Sequence, residues 1–311
     1  MPERQNRSDV NTPQLTSSPG GARGRAAARH WVIPPGSPDS LERLHDHPLL
    51  HALLGRRGIR TRADANAFLD HANTALPDPG FLPDIVEAVE RIATAVEQRE
   101  RIAVFGDYDV DGMTSAAIMW HALRSAMPAD DSVTVRLPTR EDGYGLNMRA
   151  LRELAESGAT LLIAVDCAST DSVGVAYAQS LGMDVIIIDH HHMTDTGPPG
   201  ALTISPARPD GGHYRELSAA GLTLLVALAL EHSGSFDRFR ESGGAASLVD
   251  LAALGTVADV SPMTGYNRVI VREGIRAMRR KPRIGLKSLC DVASIDLALV
   301  NTTRIGFGIA P

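Results

Sequence analysis

Acidic side chains in this sequence fall where short apolar runs stop. Arg101-Ile102-Ala103-Val104-Phe105 leads into Gly106-Asp107-Tyr108-Asp109-Val110-Asp111-Gly112. Leu161-Leu162-Ile163-Ala164-Val165 leads into Asp166, and Val185-Ile186-Ile187-Ile188 into Asp189-His190-His191-His192. A lone Asp after a strand is ordinarily a turn or helix-capping residue. Three run ends with the same chemistry point elsewhere: at least five carboxylates and up to three imidazoles reach one edge of a sheet. Like charges so crowded repel and are driven toward protonation unless a cation compensates them. The chemistry this predicts is divalent-metal binding by more than one ion. Mixed carboxylate and imidazole donors favour Mn²⁺ over Ca²⁺ and are compatible with Mg²⁺ or Zn²⁺.

Simpler alternatives fail on spacing. Asp107 to Gly112 mimics the start of an EF-hand loop, but its twelfth position is Ile118 instead of Glu, and the flanks read as strand and helix. Adjacent residues in an extended segment point to opposite sides, so His190, His191 and His192 do not all meet on one ion. One or two face the crevice, and His192 is the expected bystander. Cys167 reads as a small buried packing residue rather than a thiolate ligand. Taken alone, Leu251 to Asp259 is a buried apolar helix with a solvated acidic end.

The elements that must position these groups follow from periodicity. Strands are expected at 101–105, 133–137, 161–165 and 185–188. Helices are expected at 113–127, 148–156 and 172–181 between and after them. Strands alternating with helices, each strand a nearly continuous β-branched run, make an α/β fold with a parallel sheet covered on both faces. In such a sheet the carboxyl ends of the strands open onto one crevice, which is where the acids lie. Leu217 to His232 and Ala245 to Ala258 read as apolar helices without a strand partner. Upstream, Leu49, Leu50, Leu53 and Leu54, then Ala63 to Leu69, then Ile85, Val89, Ile92 and Val96 recur at helical spacing and read as a supporting helical layer. Residues 1–30, rich in Ser, Pro, Gly and Arg, are expected to be a disordered tail.

Composition bounds the rest. The chain has 311 residues, 43% of them hydrophobic and 22% charged, enough to bury a substantial core. It has no apolar run of about 18 residues for a membrane span and no secretory h-region at its start. Cys167 and Cys290 are too few for a disulfide framework and fit a reducing cytoplasm. A net charge of −6 argues against wholesale coating of nucleic acid while leaving a local basic groove open.

Gly106-Asp107-Tyr108-Asp109-Val110-Asp111-Gly112, Val165-Asp166-Cys167, Asp189-His190-His191 and Ala253-Leu254-Gly255-Thr256-Val257-Ala258-Asp259, in that order, resemble the four motifs of the DHH phosphoesterase superfamily. Arg57-Gly58-Ile59, Phe68-Leu69, Pro79, Ala88-Val89, Gly143-Tyr144-Gly145-Leu146 and Asn267-Arg268 make the likeness one to RecJ-type single-stranded-DNA-specific exonucleases over about residues 45–311. The resemblance implies a two-metal site with Asp109, Asp111, Asp166, His190 and Asp259 as ligands, Asp166 and Asp259 bridging. His191 would face the scissile phosphate, and Asp107 would orient the loop. Phe105 stands where some members place a His ligand, and Ala168 where Gly is common. The implied domains are a tail at 1–30, a helical region at 31–100, a DHH domain at 101–265 and a basic helical segment at 266–311. Relatives would continue past Pro311 into a DHH-associated domain, so the chain reads as a fragment or a truncated product.

The activity implied is hydrolysis of phosphodiester bonds in single-stranded DNA, 5′ to 3′, with two divalent cations, Mn²⁺ before Mg²⁺. It belongs to DNA repair and recombination in the cytoplasm, alongside repair or replication proteins and without a membrane. Substrate contact is expected from Arg136, Arg140 and His191, with Tyr144 a base-stacking surface. Arg272, Arg276, Arg279, Arg280, Lys281, Arg283 and Lys287 form either a backbone track or an ordinary solvated helix face. Two rivals are a DHH enzyme of short oligonucleotides or cyclic dinucleotides and a non-catalytic RecJ-like binding protein. The first lacks a reason for the upstream helices and the Gly143–Leu146 loop; the second typically loses metal ligands, and here all five are present.

Overall fold

Alternation along the strands sorts side chains onto two faces of a sheet. Ile102, Val104, Leu161, Ile163, Val165, Ile186 and Ile188 belong to one buried cluster; Ala103, Phe105, Leu162, Ala164, Val185 and Ile187 belong to the other. Both faces are therefore covered, as the unbroken apolar runs require. The computed structural model describes residues 42–70, 75–127, 132–139 and 143–311. The expected tail at 1–30 lies outside the described residues.

The chain divides into two compact units, residues 1–65 and 66–311. In the first, α1 (Pro48–Arg56) is described, with Leu44 and Leu54 buried and the Leu44 N–H donating to His51 Nδ1 at 3.2 Å. α2 (Arg62–Leu69) follows it in sequence.

The second unit runs α3 (Ile85–Gln98), β1 (Arg101–Gly106), α4 (Val110–Ala126), β2 (Val133–Arg136), α5 (Met148–Glu156), β3 (Ala159–Val165), α6 (Ser172–Ser180), β4 (Asp184–Ile188) and β5 (Leu202–Ile204). Then come α7 (Ala219–Glu231), α8 (Asp237–Glu241), α9 (Val249–Ala258), α10 (Gly265–Arg280), α11 (Ile284–Val292) and α12 (Thr302–Arg304). All five strands are parallel in the order β2-β1-β3-β4-β5. The chain thus leaves β1 toward β2 on one side and comes back to β3 on the other, a topological switch point of the kind that opens a ligand crevice. Leu151, Leu154, Val175 and Ala178 of α5 and α6 cover one face. Ile92, Ile118, Leu123 and Leu225 of α3, α4 and α7 cover the other, together with α9 and α10. Among the described residues no single helix is long and apolar enough to cross a membrane.

Two differences from the expected elements have plain causes. β5 was not expected: it spans three residues after the Gly197-Pro198-Pro199-Gly200 turn, too short a run to show a period. α4 begins at Val110 rather than Met113, because Asp109 caps it by accepting the Gly112 N–H at 3.0 Å. That moves Asp111 into the first helical turn.

One ion-pair network ties α3 to the amino ends of the strands. Arg91 donates to both Glu100 oxygens at 3.1 and 2.8 Å and to Asp184 at 2.7 Å. These bonds to Arg91 hold the Glu100 carboxyl below its usual range. A depressed carboxylate contributes stability above its unfolded value and loses it as pH falls through the folded one. Glu100→Gln is therefore expected to cost roughly 1–2 kcal/mol at neutral pH. In urea unfolding of both proteins, the difference should close below about pH 4.

Candidate metal centre

Strand register places three acids side by side. β1 pairs Gly106 with Val165 of β3, and β3 pairs Val165 with Ile188 of β4. One residue further along each strand stand Asp107, Asp166 and Asp189, on neighbours about 5 Å apart. The loop after β1 is so tight that a Cβ on Gly112 would lie 2.5 Å from the Asp107 nitrogen. Asp109 and Asp111 project from this turn, the first as the cap of α4 and the second from inside it.

Asp111 is 1% exposed and reaches across to α7. Its two oxygens accept the Ala219 and Ala220 N–H groups at 2.8 and 3.0 Å. The amino end of a helix supplies both donors and positive potential to an acid. Ser218 caps that helix at the Gly221 N–H and shares a hydroxyl contact of 3.1 Å with Thr256 of α9. α9 comes close enough that a Cβ on Gly255 would sit 2.5 Å from Asp111 Oδ1 and 2.4 Å from Thr114 Oγ1. The glycine lets α9 bring Asp259, at its end, to the same crevice.

Asp189 organises the third strand end. It is fully buried, and its Oδ1 accepts the His190 and His191 N–H groups at 2.8 and 3.2 Å and His191 Nδ1 at 2.7 Å. Its Oδ2 accepts the Ser169 N–H at 3.2 Å, joining the loops after β3 and β4. His190 then points Nε2 toward Asp166 Oδ1 at 3.5 Å, Asp259 Oδ1 at 3.8 Å and Asp111 Oδ2 at 3.9 Å. Acids from β3, α9 and α4 thus meet at one imidazole nitrogen.

Three overlapping donor groups result, each with its ligand atoms within 4.8 Å of one another: Asp166, His190 and His191; Asp111, His190 and Asp259; Asp107, Asp109 and Asp166. Burial, then the neighbouring acids, pushes Asp166 far above the ordinary carboxylate range. Asp111 is raised by burial and by Asp259 against the pull of the α7 N–H groups. Burial also raises Asp107 and lowers His190. His191 goes the other way, raised by its bond to Asp189 against its own burial. For Asp189, burial is outweighed by the His191 bonds and the Ser169 N–H, and its carboxyl lies below the usual range. Asp166 Oδ1 is buried and accepts no hydrogen bond among the described residues. A native interior leaves few such atoms without a partner. This oxygen, 3.5 Å from His190 Nε2 and 3.8 Å from His191 Nδ1, fits a cation. The oxygen-rich, imidazole-containing set suits Mn²⁺ or Mg²⁺.

The structure brings together Asp107, Asp109, Asp111, Asp166, His190, His191 and Asp259. Tyr144 is exposed, with its ring edge-on to His191 at 5.8 Å and its hydroxyl 3.4 Å from Nδ1. Arg136, the last residue of β2, lies 3.6 Å from Glu153 of α5. Arg140 lies outside the described residues. His192 is exposed and in none of the three groups. Cys167 is buried, and burial raises its thiol. Of the basic stretch, Arg272 and Arg276 bind Glu273, Arg279 binds the Val300 carbonyl and Arg283 binds Asp250. Sequence reasoning counted Asp189 among the crowded acids without a part of its own, and gave no role to the start of α7. Asp189 carries a signal, standing one residue past a strand and just before two histidines; Ala219 and Ala220 carry none, since they act through backbone N–H groups.

Residues 101–256 match the DHH family, N-terminal domain. The RecJ single-stranded-DNA-specific exonuclease of Bacillus subtilis is 34% identical over 92% of this chain, and that of Escherichia coli 35% identical over 85%. The chain spans 36% and 46% of the lengths of these two curated relatives. Among solved structures, exonuclease RecJ bound to manganese superposes with a TM-score of 0.62, at 34% identity, over 74% of this chain and 56% of the other. RecJ in complex with Mn²⁺ from Thermus thermophilus gives a TM-score of 0.66, at 30% identity, over 86% of this chain and 37% of the other. The motifs, the parallel sheet and the acids at its carboxyl edge lead to one assignment: this chain belongs to the DHH family, and its likeness within that family is to RecJ exonucleases.

Proposed function

We propose that this chain carries the hydrolytic centre of a metal-dependent exonuclease acting on single-stranded DNA from the 5′ end, in cytoplasmic DNA repair and recombination with repair or replication proteins as partners. The observation that carries the reading is the unpartnered, buried Asp166 oxygen where the donor groups overlap. Asp109, Asp111, Asp166, His190 and Asp259 would hold two divalent cations, Mn²⁺ or Mg²⁺. When bound, such a pair activates water and neutralises charge on the phosphate oxygens and the leaving oxygen.

The chain's own residues supply the rest. Asp189 holds the His191 ring through Nδ1 and favours its protonated form, which leaves Nε2–H as a charged donor for a phosphate oxygen. Asp107 accepts the Tyr108 N–H at 2.7 Å and so fixes the turn that carries Asp109. Tyr144, beside His191, offers an aromatic face for a base next to the scissile phosphate. Arg136 and Arg140 would meet the strand's phosphates. We assign the hydrolytic domain to residues 101–265 and a basic helical segment to 266–311.

With Mn²⁺, the purified chain should release nucleotides from a long end-labelled single strand faster than it cleaves a dinucleotide. A preference for the dinucleotide would overturn the assignment. Asp166→Asn should lower that activity by more than about 100-fold, beyond the cost of losing an outer-sphere partner. In EDTA the same variant should be more stable than the parent by roughly 1–3 kcal/mol, because a buried, uncompensated acid is gone. A raised carboxylate costs stability above its unfolded value, and the cost grows until the pH reaches the folded one, so the gain should be absent near about pH 4 and still be rising with pH through neutrality. Asp189→Asn should shift the alkaline fall of the pH–rate profile to lower pH, since His191 then loses the partner that keeps it charged.

A further inference from the structure

Behind the metal centre, Asn267 joins two loops that serve it. It stands in the first turn of α10 and is fully buried. Its Nδ2 donates to the Glu216 carbonyl and, at 3.1 Å, to the Pro262 carbonyl. Two carbonyl partners can be met only by the amide NH₂, so the chemistry fixes the orientation of the side chain. Its Oδ1 is buried without a partner among the described residues. The residue is therefore kept for its two donors at the expense of an unsatisfied acceptor.

Each loop leads to a group of the centre. Glu216 lies two residues before Ser218, the cap of the helix whose N–H groups hold Asp111. Pro262 lies three residues after Asp259. Glu216 closes the contact from its own side, its carboxylate accepting the Tyr266 N–H at 3.3 Å.

Between Asp259 and Pro262 the backbone is strained. Val260 has φ of +61°, the left-handed region that a β-branched residue rarely enters, and its side chain is 85% exposed. Packing does not compensate the strain, so the surrounding bonds must impose it. Those bonds are the Val260 N–H to the Val257 carbonyl at 3.2 Å, Ser261 Oγ to Asp259 at 2.5 Å, and Asn267 to Pro262.

We propose that Asn267 is a positioning residue of the metal centre: it clamps the loop after Asp259 to the loop before α7, and so holds Val260 in its strained turn and Asp259 opposite His190 and Asp111. The proposal rests on the metal-centre reading above. A merely structural asparagine would support the fold without acting through Asp259 or Val260.

The test is Mn²⁺ titration followed by electron paramagnetic resonance on the purified chain, with thermal unfolding in EDTA as the check on folding. Asn267→Ala should weaken Mn²⁺ uptake about 10-fold or more, as loss of a residue orienting a ligand does. Val260→Gly relieves the strain and should raise the melting temperature. In that background Asn267→Ala should cost only about a third as much affinity or less, because the turn no longer needs restraining. In an Asp259→Asn background Asn267→Ala should cost almost nothing further. Undiminished uptake by Asn267→Ala, or an equal loss in all three backgrounds, overturns the proposal. Should Asn267→Ala fail to fold, Asn267→Ser, which keeps a donor, takes its place in the same comparisons. If the parent chain itself takes up no Mn²⁺, the metal-centre reading fails, and that outcome is distinct from failure of the clamp.

Discussion

Crowding of buried carboxylates at one sheet edge is the constraint from which the rest of this structure follows. Asp107, Asp111, Asp166 and Asp189 are each less than a tenth exposed, and they sit within one crevice. Their support differs from one to the next. Asp189 has backbone and imidazole donors and ionises readily. Asp111 has the amino end of α7. Asp107 has one adjacent N–H. Asp166 Oδ1 has none. Acids so unequal in their support divide the work: the well-bonded ones build the scaffold, and the poorly bonded one is left for a ligand of opposite charge.

Topology makes that crowding unavoidable. In a parallel sheet with β1, β3 and β4 as neighbours and their ends level, whatever follows each strand must share the same small volume. The helices then complete the site from the side. α4 starts inside the acidic turn, α7 aims its amino end at Asp111, and α9 delivers Asp259 from its carboxyl end. Helix polarity is used in one sense at α7 and the opposite at α9. An acid at the carboxyl end of a helix is disfavoured by the dipole, so Asp259 gains nothing from α9 and relies on its partners in the crevice.

How much of this was legible in the sequence depends on the range of the force involved. Strands with continuous β-branched runs were readable because burial on both faces leaves no polar alternation, and Asp107, Asp166 and Asp189 were readable as their terminal residues. Extended-chain geometry excluded three histidines on one ion and left one or two facing the crevice, with His192 the expected bystander; only the resemblance named His190 and His191. Asp259 was another matter. By local pattern it is a solvated helix end, and only the resemblance placed it in the site, because a Gly255-mediated helix approach is a tertiary fact. β5 was missed since three residues carry no period. Asp109 was read as a metal-site candidate, against the ordinary capping role of an Asp after a strand; it caps α4 and belongs to a donor group, so the common role and the rare one are not exclusive. The support from Ala219 and Ala220 had no residue-type signature, because a backbone N–H looks the same under every side chain.

Backbone strain follows the same map as charge. Asp166, Ala168 and Val260 all adopt left-handed φ, at +60°, +76° and +61°, and all lie within two residues of a crevice acid. For Ala168 this supplies the reason that glycine is common there: the turn after β3 wants a residue without a Cβ. Strain in three turns and repulsion among four acids both oppose folding, yet the interior beneath them is an apolar sheet packed on both faces. The core therefore carries the cost of a rim that would not hold its own shape. Any ligand that neutralises the rim relieves the repulsion in the folded state alone, so its binding is coupled to stability by necessity. A positioning bond such as that of Asn267 then matters most when the ligand is absent, when it and the Ser261 and Val260 bonds alone hold the turn that carries Asp259.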